Sequence, residues 1–368
     1  MTAGGGDLPT PDLVARRARL AETLATEGLA GLWVTGAADL AWLTGFTGSN
    51  GAVFVRADGR HLLATDARYA GRVDDTDDLE VRIDRDLFAP VATAVSDGLG
   101  PVAFDPTAVS HARARTWSER TGDALVARTG LVGGLRLVKD DAEVGRLARA
   151  CDLTVAAWRV EVVAAGTDLV GVTERELATR IERTMVDLGA DGVAFPSIVA
   201  AGTNGAVPHH EPTDRPIRAG ELVTTDIGAR VDGYHADFTR TVAVGEVDDD
   251  LLAVHALVER AQAAGVAAVR VGEPVVELDT VARRVITEGG HGDAFVHGVG
   301  HGVGLEVHED PIIALATTDR LSAGMVLTIE PGIYLPGHGG VRIEDTLVVT
   351  DDGPRVLTDA PTGAHPSA

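Results

Sequence analysis

The chain holds one cysteine, Cys151, in 368 residues. No internal disulfide can form, so a reducing, cytoplasmic setting is expected. Cys151 sits in an apolar helical pattern, where a free cysteine packs as a small hydrophobe. Lysine is equally scarce: of 32 basic residues only Lys139 is lysine. With abundant Ala, Val, Gly and Asp, that bias is most simply a genome-composition signature, adaptation to salt being the less economical reading. Positive charge is short overall, and the net charge is −23. Long-range repulsion then argues against nucleic acid and anionic membrane surfaces as partners. No apolar run reaches the ~18–20 residues that span a bilayer. Residues Met1 to Pro11 lack the basic and apolar regions of a signal peptide and read as a loose leader. The stretch from Asp359 to Ala368 reads as a loose tail.

What is present is ample apolar material, 45% of residues, over a length that suits two domains. A helix is predicted from Asp12 to about Glu27, between Pro11 and Gly28. Strands are predicted at Leu32–Thr35, Ala52–Arg56, His61–Thr65 and Val102–Phe104, giving an α/β N-terminal domain over 12–134. Lys139 to Gly166 carries a long amphipathic helical pattern. Thr173 to Leu188 is a second helix, opened by a capping box of Thr173 with Glu176. Two more helices are predicted, Asp249 to about Val271 and Val275 to about Gly289. Strand patterns at Ser197–Ala200, Glu221–Gly228, Ala236–Val244, Met325–Ile329 and Val341–Val349 follow no regular βαβ rhythm. An α+β domain with a mostly antiparallel sheet is therefore expected over 139–358. Nine of the twelve histidines fall between His209 and His338, which places the chemistry in this second domain.

Five residues there have metal-ligand chemistry: Asp226, Asp237, His301, Glu330 and Glu344. Four carboxylates and an imidazole suit two divalent cations better than one. Asp226 and Asp237 flank Asp232-Gly233, a strong hairpin signal. A turn there pairs Val231 with Tyr234, Gly228 with Asp237 and Asp226 with Thr239. The two aspartates then share one face as diagonal neighbours, ~7–8 Å apart. The bland alternative is a solvated acidic face. Against it, Asp226 lies among Leu222, Val223 and Ile227, where a carboxylate needs a partner.

The segment Phe295 to Pro311 has glycine at 298, 300, 302 and 304. That spacing is incompatible with a stable helix and lets backbone approach a ligand closely. It does not match the dinucleotide fingerprint. Three histidines, 297, 301 and 308, lie within it, each a metal ligand or proton carrier in kind. Glu330 follows the apolar strand ending at Ile329. Glu344 precedes the apolar run Leu347–Val349, and the loop from Leu335 to Gly340 makes a second hairpin of the two. Arg342 shares a face with Glu344, where a guanidinium can orient ligating carboxylates; taken alone, the pair reads better as a surface ion pair.

In order, Asp-x-Gly, His-Ala-Asp, Gly-His-Gly-Val-Gly, Glu-Pro-Gly and Arg-Ile-Glu-Asp resemble the pita-bread metallopeptidases, which include aminopeptidase P, prolidase and methionine aminopeptidase. TGFTGSNGA from Thr44 and TDARY from Thr65 look like the creatinase-type N-terminal domain of the Xaa-Pro members. The resemblance implies that Asp226 binds one metal with both oxygens, that Asp237 and Glu344 bridge two, and that His301 and Glu330 are terminal ligands. It implies active-site roles for His209, His297 and His308, which join Arg342 as candidate catalytic residues; His209 is chosen over His210 from its place after Pro208. It implies manganese, with cobalt, zinc or iron open. A water made acidic by the cations would attack the carbonyl before proline. Glu330 would carry its proton, while His308 and His209 stabilise the oxyanion.

Methionine aminopeptidase lacks the first domain, while creatinase and the non-enzymatic binding modules of this type have lost the ligands that are intact here. An Xaa-Pro aminopeptidase is therefore expected, with prolidase action on dipeptides as the alternative. In prolidases an arginine helps to hold the free proline carboxylate; here the segment reads His308-Glu-Asp-Pro-Ile312. By resemblance the first domain narrows the active-site entrance and mediates a homodimer.

Overall fold

In the computed structural model, residues 8–366 are described except 73, 74, 77, 315, 316 and 318. The chain forms two compact units, 10–136 and 137–366, with Leu8 and Pro9 joining the second.

In the first unit, Asp12 caps the helix Leu13–Thr26 by accepting from the Ala15 backbone N–H. Six strands form one sheet. Its centre is antiparallel, Gly31–Val34 against Gly51–Arg56 and then His61–Thr65. Its flanks are parallel: Leu79–Ile83 on one side, Val102–Phe104 and Leu125–Ala127 on the other. The few aromatics are concentrated here. Phe88 stacks on Trp117 at 4.9 Å, and Trp33 meets Phe54 edge-on at 6.4 Å, filling the space beneath the helices Ala89–Ser96 and His111–Thr121.

In the second unit every strand pair is antiparallel. The fold is thus an α/β domain followed by an α+β domain with antiparallel strand pairing, as expected. Helix Asp141–Trp158 opens with a full capping box, Asp140 with Glu143, and runs on into a π-helical turn at Arg159–Val163. Helix Glu174–Asp187 has the expected cap, with Thr173 accepting from the Glu176 N–H. The box is only half made, because the Glu176 carboxylate pairs with Arg180 instead. Asp249–Ala268 and Val275–Glu288 complete the long helices. Trp158 packs edge-on against Phe238 at 5.5 Å, tying the first of these helices to the central sheet. The only lysine, Lys139, is buried (5% exposed), and its ammonium sits 2.8 Å from Glu309.

Both hairpins form. Asp232 (φ 48°) and Gly233 (φ 82°) make the turn of the first, the left-handed pair that a primed turn demands. Val231 pairs with Tyr234 and Asp226 with Thr239, the register expected from the turn. In the second, Val326–Ile329 pairs with Asp345–Thr350 and Gly332–Leu335 with Gly339–Arg342. The ladder breaks between these pairs, where Glu330 and Glu344 lie.

The two ends correct the sequence reading in part. Met1 to Asp7 lie outside the described residues, but Leu8 packs on the core and Pro9 O accepts from Arg146 at 2.7 Å. Over 359–366 the backbone is tied down as well: Arg240 donates to Ala360 O and Pro361 O, both at 2.9 Å, and the Ala243 N–H to Ala364 O at 2.8 Å. Among the described residues no helix is long and apolar enough to cross a membrane.

Candidate active site

The breaks in the two hairpins leave Asp237, Glu330 and Glu344 outside regular pairing, while Asp226 stays in the ladder opposite Thr239. Gly228, opposite Asp237, permits this on the first hairpin. A Cβ there would come within 2.0 Å of Ala236 O, so the strands approach closely only because glycine occupies the position. Strand Gly300–Gly302 brings in His301, whose backbone N–H donates to Thr328 Oγ1 at 3.1 Å.

Eight of the nine residues singled out from the sequence line a single cleft of about 520 Å³: Asp226, Asp237, His301, Glu330, His209, His297, His308 and Arg342. The ninth, Glu344, is 1% exposed. One potential ligand atom each from Glu344, Asp237 and His301 lies within 4.8 Å of the others, a group able to hold a metal ion. Asp226 and Glu330 lie outside that tight group. Asp226 Oδ2 accepts from Arg342 Nη2 at 2.7 Å, and Glu330 Oε1 sits 3.3 Å from His301 Nε2.

Hydrogen bonds orient the rings of His301, His297 and His210. His301 Nδ1 donates to Gly302 O at 2.9 Å, which leaves Nε2 facing Glu330 and, at 3.6 Å, Asp237. That is the arrangement of a metal-binding imidazole, with one nitrogen held by a carbonyl and the other turned toward the carboxylates. His297 donates from Nδ1 to Gly298 O and accepts from the Tyr334 hydroxyl, both at 2.8 Å; that hydroxyl accepts from Arg342 at 3.0 Å. His308 lies edge-on to His301 with centroids 4.3 Å apart. His210 Nε2 is 2.9 Å from Glu174 Oε2, so of the two adjacent histidines the ring of 210 is committed to a structural partner.

Burial pushes the Asp237 and Glu344 carboxyls well above the usual range, and the neighbouring carboxylates push the same way. Asp226 is raised by burial too, though Arg342 opposes it. Burial would also raise Glu330, but the hydrogen bond and charge of His301 hold it low. Burial disfavours the His301 cation, yet Glu330 outweighs burial and raises that ring. Desolvation lowers His297 and His308. So many acids in so small a space lack cations to balance them.

Whether a metal fits can be judged from the oxygen atoms. Asp226 Oδ1 and Glu344 Oε1 are buried and have no hydrogen-bond partner. A buried carboxylate oxygen without a donor is costly, and a divalent cation is the partner that satisfies it. With His301 Nε2 turned toward Glu330 and Asp237, the donor set fits a bound metal.

Three contributors were missed in the sequence: Thr239, which donates to Glu344 Oε2 at 2.8 Å; Tyr334; and Thr328, which bridges His301 and Glu330. Each stands within four residues of a predicted ligand or predicted active-site residue, which was the available signal.

An α+β domain that buries a carboxylate–imidazole centre in one open cleft defines a metal-dependent hydrolase. The family model described as Metallopeptidase family M24 matches residues 145–351, and that for the Creatinase/Prolidase N-terminal domain matches 16–138. The chain belongs to metallopeptidase family M24 and is an enzyme. It is 42% identical over 229 residues to the Xaa-Pro dipeptidase of Pyrococcus furiosus, covering 62% of this chain and 65% of that one. The solved Xaa-Pro dipeptidase from Bacillus anthracis superposes with a TM-score of 0.90 at 34% identity, covering 95% of this chain and 98% of that one. The X-Pro aminopeptidase from Thermotoga maritima MSB8 gives 0.86 at 34% identity, covering 94% and 98%.

Proposed function

We propose that this enzyme hydrolyses the bond between a residue and a following proline, with two divalent cations held by Asp226, Asp237, His301, Glu330 and Glu344. The observation that carries the reading is the pair of buried, unpartnered oxygens, Asp226 Oδ1 and Glu344 Oε1, in the cluster that His301 Nε2 faces. Manganese suits an oxygen-rich set, with cobalt or zinc as alternatives. When bound, such cations supply an acidified water and polarise the carbonyl before proline. Arg342 fixes Asp226 through Nη2 and is itself held by Tyr334 and Pro208 O, so the carboxylate has one orientation. Glu330 takes the proton from water and passes it to the leaving nitrogen. That nitrogen is tertiary and carries no hydrogen of its own, so it departs only once protonated. His308 and His209, which both line the cleft, donate N–H groups to the carbonyl oxygen as its charge grows. A neutral ring suffices for this, in keeping with the lowered His308.

The relatives named Xaa-Pro dipeptidase support the dipeptide as substrate, the alternative raised from the sequence, over the longer peptides put first there. One observation favours the longer substrate. Ile312, the strand partner of His301, lines the cleft and is 47% exposed, where a cation would be needed to hold a free proline carboxylate. Turnover of Xaa-Pro against Xaa-Pro-Yaa decides between them. Activity should vanish on exhaustive chelation and return with manganese. Full activity after chelation, or no cleavage of any Xaa-Pro substrate with manganese present, would sink the proposal. A homodimer is proposed on resemblance, to be read by sedimentation.

A further inference from the structure

We infer that Glu174 is a positioning residue for His209, an inference that rests on the role proposed above for His209. Glu174 is the first residue of its helix and is 0% exposed. An acid in a first turn ordinarily favours the helix dipole from the surface and needs no burial. Glu174 instead spends both oxygens on one loop. Oε1 accepts from the Ala201 N–H at 2.8 Å and Asn204 Nδ2 at 2.9 Å. Oε2 accepts from His210 Nε2 at 2.9 Å, the Thr213 N–H at 3.1 Å and Thr213 Oγ1 at 2.6 Å. Those donors span the start, middle and end of the excursion from 201 to 213, which carries His209 to the cleft.

The same loop is held from the opposite side by the active site itself. Arg342 Nη1 donates to Pro208 O at 3.3 Å. Gly205 lies against Gly340, so closely that a Cβ on Gly340 would come within 2.0 Å of Gly205 O. His209 is thus bracketed by two anchored neighbours: Pro208 tied to Arg342 and His210 tied to Glu174. These hydrogen bonds outweigh burial and keep the Glu174 carboxyl below its ordinary value, so the anchor is an ionised carboxylate taking charge-assisted bonds. A neutral side chain of the same shape accepts through one oxygen only, which releases part of the loop. The register of β-strand Ile198–Ala201, with Ile198 opposite Asp226, is set along its whole length by the neighbouring strand, so the carboxylate's leverage falls on the loop beyond it.

The test is a double-mutant cycle between Glu174→Gln and His209→Phe on the manganese-loaded enzyme. Glu174→Gln is expected to lower kcat about 10–100-fold, the range for supporting groups around a catalytic centre, with KM changed far less. In the His209→Phe background the same substitution should cost less than about 3-fold, because coupled residues are not additive. Equal losses in both backgrounds would mean a general structural role and would overturn the inference. If Glu174→Gln does not fold, Thr213→Val, which removes one donor, carries the same cycle with a smaller loss. Should the wild-type enzyme cleave no Xaa-Pro substrate, the proposed function falls by itself. Hydrogen exchange then decides the positioning: faster exchange across 201–213 alone in Glu174→Gln supports it, and unchanged exchange there overturns it.

Discussion

Glu344 and Asp345 are adjacent in sequence and almost equally buried, 1% and 5% exposed, yet their surroundings are opposite. Asp345 is saturated: Oδ1 accepts from Arg240 at 2.7 Å and Thr358 at 2.9 Å, and Oδ2 from Gln262 at 2.8 Å. Glu344 accepts one hydrogen bond, from Thr239, and keeps Oε1 unpartnered. Successive residues on an extended backbone face opposite ways, so one stretch of chain serves a packed interior and a reactive cleft together. A buried carboxylate that holds a fold is fully paired; one reserved for chemistry leaves lone pairs open.

The sharpest way to break the contrast is Asp345→Ala. It strands the buried Arg240 guanidinium and should cost about 3–5 kcal/mol, read as a shifted denaturation midpoint. Glu344→Gln should do the reverse. Activity should fall by more than about 100-fold, since loss of a proposed ligand should exceed the loss of a group behind it. Stability without metal should hold or rise, because Glu344 Oε1 has no hydrogen bond to lose. A large loss of stability in Glu344→Gln would erase the distinction. Arg342→Lys sits between the two: a single ammonium cannot reproduce the bonds to Asp226, Tyr334 and Pro208, and kcat should drop about 10–100-fold with little change in stability.

A smaller effect sharpens the comparison through pH. Asp237 and Glu344 have folded-state values well above those of the unfolded chain, so the fold binds their protons more tightly. Their contribution is full below the ordinary carboxylate range and is lost as pH rises through the raised values. Chelated protein should therefore lose stability with rising pH, with a slope of about 1.4 kcal/mol per pH step for each proton that only the folded chain still holds. Added manganese should flatten the curve. A chelated protein whose melting temperature is flat from acid to neutral pH would contradict the buried, uncompensated cluster.

Much of this was legible in the sequence because it is local. Asp232-Gly233 names its turn, and the turn sets the register that pairs Asp226 with Thr239. Glycines in the His301 segment announce close backbone approach. What escaped is long-range. Asp359 to Pro366 looks like a loose tail from composition, yet Arg240, more than a hundred residues earlier, holds its carbonyls. Glu174 reads as an ordinary first-turn acid until the loop it gathers is seen. The substrate's far end was illegible for a related reason: Ile312 alone says which group is missing from that wall, not what the cleft accepts in its place.

The buried ion pair of Lys139 with Glu309 has a practical consequence. As the sole lysine, its backbone bond is the only site in the sequence for a lysine-specific endoproteinase. The native fold hides it, so cleavage into 1–139 and 140–368 can occur only when that part of the structure opens. The protein thus carries its own single-cut reporter of opening, readable on a gel as one band becoming two.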